Sequence, residues 1–127
     1  MMNRRVLLEK GLTVISACKR RTGDVWEAHF GAAAIAAYFF IAENECAEEL
    51  GETIAAQADT MVSRHLDVGC DDGVNRAADR PAPAMDARAA EQAIATSLEA
   101  TIDGLYWVGH NAIYAALAMK AIRELGG

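Results

Sequence analysis

Two tryptophans and two histidines hold most of the chemistry this sequence offers, and they are spaced alike. Trp26 and His29 stand three residues apart, as do Trp107 and His110. On a helix that spacing puts indole and imidazole on one face. Imidazole acts near neutral pH as a base, a donor or a metal ligand, and indole supplies a flat apolar wall. At a helix N-terminus, unpaired N–H groups and the positive dipole end favour a neutral ring and suit an anionic ligand. Asp24 and Glu27 are the polar neighbours of the first pair; Tyr106, Asn111 and Tyr114 are those of the second. Brought face to face, the two corners would form a pocket for a small molecule, with histidine as general acid and base. A metal needs a third ligand beside two imidazoles, so no metal is assigned and the cofactor stays open.

A plainer reading stands beside that one. A repeated Trp and His can be packing, with the indole filling a corner between helices and the imidazole bonded to a partner helix, because buried polar groups normally find structural partners. The third histidine, His65, reads as a surface or helix-end residue, favourable near a helix C-terminus.

The elements that must position these residues are themselves repeated. Gly23-Asp24-Val25-Trp26-Glu27-Ala28-His29 recurs as Gly104-Leu105-Tyr106-Trp107-Val108-Gly109-His110, and at the same offset Ala34 matches Ala115, Ala37 matches Ala118, Ile41 matches Ile122 and Glu43 matches Glu124. The pattern predicts an all-α fold of about five helices. The first covers Asn3 to Lys19, with Leu8, Leu12, Ile15 and Lys19 on one face. Thr22-Gly23-Asp24 breaks it, and Asp24 opens a second helix that runs to Ala42. Asn44 caps a third, whose apolar stripe is Leu50, Ile54, Ala58, Met61 or Val62, and Leu66. Residues 67–85 form a long loop, polar and marked by Pro81 and Pro83. Asp86 caps a fourth helix, with Ala90, Ile94, Leu98 and Ile102 inward. Asp103-Gly104 ends it, and a fifth helix runs from Leu105 to Leu125.

The repeat unit is then a helical hairpin: helices one and two form one copy, four and five the other, in a bundle or a half-toroid. Simple alternation of direction would leave the two Trp-His ends about 30 Å apart, for helices of about twenty residues. The loop at 67–85 is long enough, at more than about 50 Å extended, to return along helix three and bring those ends together; this second arrangement is the one expected. Alternating helices with alanine-rich inner members and W-x-x-H entries, Trp26 with His29 and Trp107 with His110, resemble α/α-hairpin repeat proteins, including toroids of the terpenoid-cyclase and glycosidase type. The resemblance covers residues 23–43 and 104–125. It implies a half-toroid, a fragment of a larger α/α-repeat enzyme, or a protomer that completes its core by dimerising. The aspartate-rich motif of the cyclases has no counterpart here, so no family chemistry is carried over.

Composition bounds the function. The chain has 127 residues, one domain's worth, 53% hydrophobic with much of that alanine, and a formal charge of −6. An acidic chain whose only basic cluster is Lys19-Arg20-Arg21 lacks the face nucleic acid needs. Cys18, Cys46 and Cys70 form no C-x-x-C pair and read as reduced thiols, hence a cytoplasmic protein. Ile15-Ser16-Ala17-Cys18 looks like a lipoprotein cleavage site, but Glu9 and Lys10 interrupt the apolar region it needs, so the segment reads as an amphipathic helix. Phe30 to Ala42 is too short to span a bilayer, so no membrane is expected. Tyr38, Phe39 and Phe40 cover most of a helix circumference, so one must face outward or into a partner. The first expectation is therefore a helical interaction or structural module, a homo-oligomer (a dimer) formed through alanine-rich and aromatic faces. The alternative is a small-molecule binding protein or enzyme built on Trp26, His29, Trp107, His110, Asp24, Glu27, Asn111 and Tyr114.

Overall fold

The computed structural model describes residues 3–23, 25–66, 86–101, 103 and 109–126. Those residues are all-helical: α1 Arg5–Thr22, α2 Ala28–Glu43, α3 Glu48–Leu66, α4 Ala87–Glu99 and α5 His110–Gly126. They fall into two compact units, Met1–Arg80 and Pro81–Gly127. No described helix is long and apolar enough to cross a membrane. The segment 67–85, with Cys70 and its aspartates, lies outside the described residues, as do Asp24 and Trp107.

In the first unit each of three helices packs on the other two. One core cluster joins Leu7, Ile41, Ala55 and Ala58; another joins Val14, Ala34 and Val62. The early residues of α1 thus meet the late residues of α2 and the early residues of α3. It follows that α1 and α3 run parallel, with α2 antiparallel between them. Leu7, Leu8, Val14, Ile35 and Val62 are fully buried. Helices α1 and α2 cross at two glycines. A Cβ built on Gly11 would stand 2.7 Å from the Gly31 carbonyl oxygen and 2.7 Å from Ile35 Cγ1. A Cβ on Gly31 would collide with the Gly11 carbonyl oxygen. Lys10 ties α1 to α3, its Nζ donating to Asp59 Oδ1 at 2.6 Å and to Ser63 Oγ at 2.9 Å.

Several expected details change. Helix α1 starts after Asn3, whose Oδ1 accepts from Arg5 N at 3.1 Å, and continues to Thr22 before Gly23 turns at φ +75°. Its buried face is Leu7, Leu8, Gly11, Val14, Ala17 and Cys18, with Leu12 and Ile15 only half-buried, because the close contact is made by glycine. The segment with the lipoprotein-like pattern is this amphipathic helix, with Cys18 in the core. Helix α2 starts at Ala28, not Asp24: Val25, Trp26 and Glu27 carbonyls accept i→i+3 bonds from Ala28, His29 and Phe30, a 3₁₀-type turn that tightens the helix entry. Asn44 does not cap α3. Its Nδ2 donates to the Phe40 carbonyl at 2.8 Å and closes the C-terminus of α2. In α3 the buried stripe is Gly51, Ala55, Ala58 and Val62, one residue away from the expected Leu50 and Ile54, and Leu50 is 52% exposed.

The second unit is a hairpin of α4 and α5. Asp86 caps α4 as expected, with Oδ1 accepting from Ala89 N at 2.8 Å, worth about 1 kcal/mol. A Cβ on Gly126 would lie 2.5 Å from Ala87 Cβ, and Arg123 pairs with Glu91, so the helices are antiparallel. Tyr114, Ala118 and Ala121 are buried on α5, whereas no α4 residue is fully buried; Ala90, Ile94 and Leu98 are half-buried.

Candidate functional site

The entry to α2 carries the first Trp-His pair. The tight turn at 25–27 places Trp26 one turn ahead of His29, and their rings stack with centroids 5.8 Å apart and planes inclined by 17°. His29 Nδ1 lies 2.6 Å from the Trp26 carbonyl oxygen. A carbonyl only accepts, so Nδ1 carries the proton and the lone pair of the neutral ring sits on Nε2. Trp26 is 43% exposed and His29 is exposed, so the stack is a surface feature rather than a corner filler.

Glu27 turns toward α3 instead. Its Oε1 accepts from His65 Nδ1 at 3.3 Å, and the His65 ring lies flat on Phe30 at 3.7 Å between centroids, 8° from parallel. His65 is therefore no simple surface histidine: a carboxylate holds one nitrogen and a phenyl face supports the ring. This orients His65 Nε2, which makes no hydrogen bond among the described residues. A carboxylate that orients an imidazole is the arrangement used to hold a general base or a metal-binding nitrogen. It is equally a tie between the start of α2 and the end of α3. Among the described residues no three His, Cys, Asp or Glu side chains are placed to hold a metal ion.

The pair is expected to be modest in energy. In a double-mutant cycle of Glu27→Gln and His65→Phe, read by urea unfolding, the coupling should be about 0.5–1 kcal/mol, because both groups keep partial contact with water. A coupling near zero would mean that stacking on Phe30, not charge, holds the ring.

In the second copy, His110 is the first residue of α5, half-buried, with its ring 5.6 Å from that of buried Tyr114 and tilted by 58°. Asn111 braces the hairpin: its Nδ2 donates to Thr101 Oγ1 at 2.9 Å, while Thr101 Oγ1 donates to the Leu98 carbonyl at 2.7 Å. Since that hydroxyl proton is committed to a carbonyl, Thr101 must accept from the amide, which fixes the amide orientation. Asn111 Oδ1 is then a buried acceptor with no partner among the described residues, an arrangement that costs about 1–3 kcal/mol.

The structure thus joins Trp26 to His29, Glu27 to His65, His110 to Tyr114 and Asn111 to Thr101. The two sequence copies fall in different units. His65 and Phe30 were missed from sequence, though a signal existed. Glu27 and His65 lie at nearly equal distances along the chain from the Asn44–Ala47 turn, so an antiparallel α2–α3 pair must bring them together. Neither of the described cysteines is in a disulfide; Cys18 is buried and Cys46 half-buried. Comparison with protein-family models, with curated proteins and with solved structures returns no match.

Proposed function

We propose that the chain is a helical interaction module that self-associates as a homodimer through the outward face of α2. One observation carries this reading: Trp26, His29, Ala33, Ala36 and Phe40 are all exposed, recur at three- and four-residue spacing, and include no acidic or basic residue other than His29. A helix normally turns charge outward, and this chain has a net charge of −6 to spend. Instead the outward stripe of α2 has aromatic rings at both ends, with Phe40 52% exposed, and alanines in the middle.

That layout is self-complementary, which makes a second copy the occupant. Two such stripes laid antiparallel about a two-fold axis place each Trp26–His29 end opposite the partner's Phe40 end. The alanines then meet at the axis, where small side chains permit close approach. From His29 to Phe40 the stripe runs about 17 Å, roughly three turns. The α4–α5 hairpin gives independent support for association, since a two-helix unit whose α4 buries no residue fully is short of core by itself. A duplicated origin of the α1–α2 and α4–α5 hairpins is compatible with this reading and belongs to the same proposal.

Light scattering after size exclusion tests it. The native chain should elute at twice its 13.6 kDa mass. Ala36→Glu, which sets two carboxylates against each other at the axis, should yield a monomer with unchanged helix content. A native monomer at every concentration, or a dimer indifferent to Ala36→Glu, would overturn the proposal.

A further inference from the structure

A cavity of about 630 Å³ opens at the end of the three-helix unit away from Glu27 and His65, where the start of α1 meets the end of α2 and the start of α3. Its volume falls in the range of about 300–1,000 Å³ typical of small-molecule sites. Tyr38 and Ile41 of α2 form an apolar wall, Cys46 lies between the helices, and Arg4, Arg5 and Glu48 border it with charge, Arg5 already having a partner.

The Arg4 guanidinium lies across Gly51. A Cβ there would stand 3.3 Å from Nη2 and 3.6 Å from Nη1, and 3.3 Å from Ile41 Cγ2, so glycine leaves the room that the guanidinium occupies. No hydrogen bond or ion pair engages the Arg4 side chain among the described residues. Its neighbour is the positive end of α3. Ala47, whose carbonyl accepts from Gly51 N, stands at the head of that helix and has no side-chain acceptor to cap it. Glu48 and Glu49 in the first turn of α3 already answer its dipole, so the guanidinium is the cationic group that an oxyanion in the cavity would meet. Glu48 limits what fits: its carboxylate on the same cavity repels a second negative charge on any ligand.

We propose that this cavity binds a small organic monocarboxylate, with the carboxylate on the Arg4 guanidinium and an apolar body against Tyr38 and Ile41. Arginine is suited to the task because its planar fork matches a carboxylate with two parallel hydrogen bonds.

Thermal unfolding of the full chain, with ionic strength matched by chloride, tests the proposal with three probes: sodium hexanoate, hexanamide and inorganic phosphate. Hexanoate at about ten times its Kd should raise Tm by about 5 °C. Hexanamide, with the same body and no charge, should bind at least about tenfold more weakly, and phosphate should do no more than chloride. Arg4→Gln should abolish the hexanoate shift, and Glu48→Gln should strengthen it by a few-fold. Equal shifts from hexanoate and hexanamide would reduce the site to an apolar groove. A larger shift from phosphate, a hexanoate effect that survives Arg4→Gln, or no hexanoate effect at all would overturn the proposal. If Arg4→Gln fails to fold, Glu48→Gln decides: hexanoate binding that is unchanged or weaker counts against the site.

Discussion

Gly31→Ala should destabilise the three-helix unit by about 3 kcal/mol or more, and Gly11→Ala by a similar amount. The sign makes the test sharp. In an exposed helix interior, glycine to alanine gains about 1 kcal/mol from lost backbone freedom in the unfolded chain. Here the added methyl meets main chain. On Gly31 it runs into the Gly11 carbonyl oxygen and lies 3.0 Å from Ile15 Cγ1 and 3.1 Å from Val14 Cβ. A side chain can rotate away from a methyl, but a carbonyl in a helix cannot without breaking its own hydrogen bond. The helices must move apart, and the layers that include Val14 and Ile35 loosen with them. Urea unfolding followed by circular dichroism measures the change; a variant as stable as the native chain would mean that α1 and α2 do not cross at these glycines.

Ile35→Ala should cost about 3 kcal/mol, within the range for emptying a fully buried aliphatic site. The more informative result is its coupling to Gly11→Ala. A Cβ on Gly11 meets two obstacles, Ile35 Cγ1 and the Gly31 carbonyl oxygen, both at 2.7 Å. Removing the isoleucine clears the first and leaves the second. The double variant should therefore be less damaged than the two single losses added together, by about 0.5–2 kcal/mol, yet still weaker than either parent. Strict additivity would separate the two positions in space; full rescue would show that the main-chain contact is not tight.

These two positions also mark where sequence reading reaches its limit. The helices themselves are legible, because breaks such as Gly23 and caps such as Asp86 act locally and their partners lie within a few residues. Packing faces are legible only where large side chains make the contact. In α1 and α3 the close approaches are made by Gly11 and Gly51, residues that a hydrophobic stripe passes over, so the stripe points to Leu12 and Leu50, which the structure leaves half-buried and exposed. Asn44 misleads for a related reason. Its amide can serve the helix before it or the one after, and only the geometry of the turn selects the Phe40 carbonyl. Of the candidate site, spacing alone puts Trp26 and His29 side by side, while the stacking of their rings is seen only in the structure. The Glu27–His65 contact does not follow from spacing, because it depends on how two helices pair across a turn. Asp24 and Trp107 themselves lie outside the described residues.

The bond from Lys10 has a consequence for the alignment of the unit. Helices α1 and α3 run side by side in the same direction, and no short turn joins them, so chain connectivity alone does not set how far one has slid along the other. Alanine-lined surfaces such as Ala55 and Ala58 are smooth, and offer little resistance to slippage along the axis. The ammonium grips Asp59 and Ser63, two side chains a single helical turn apart on α3. A slide of less than a full turn loses one of these grips, so one lysine acts as a pawl that adds to the Val14–Val62 contact in holding the two rods at a single setting.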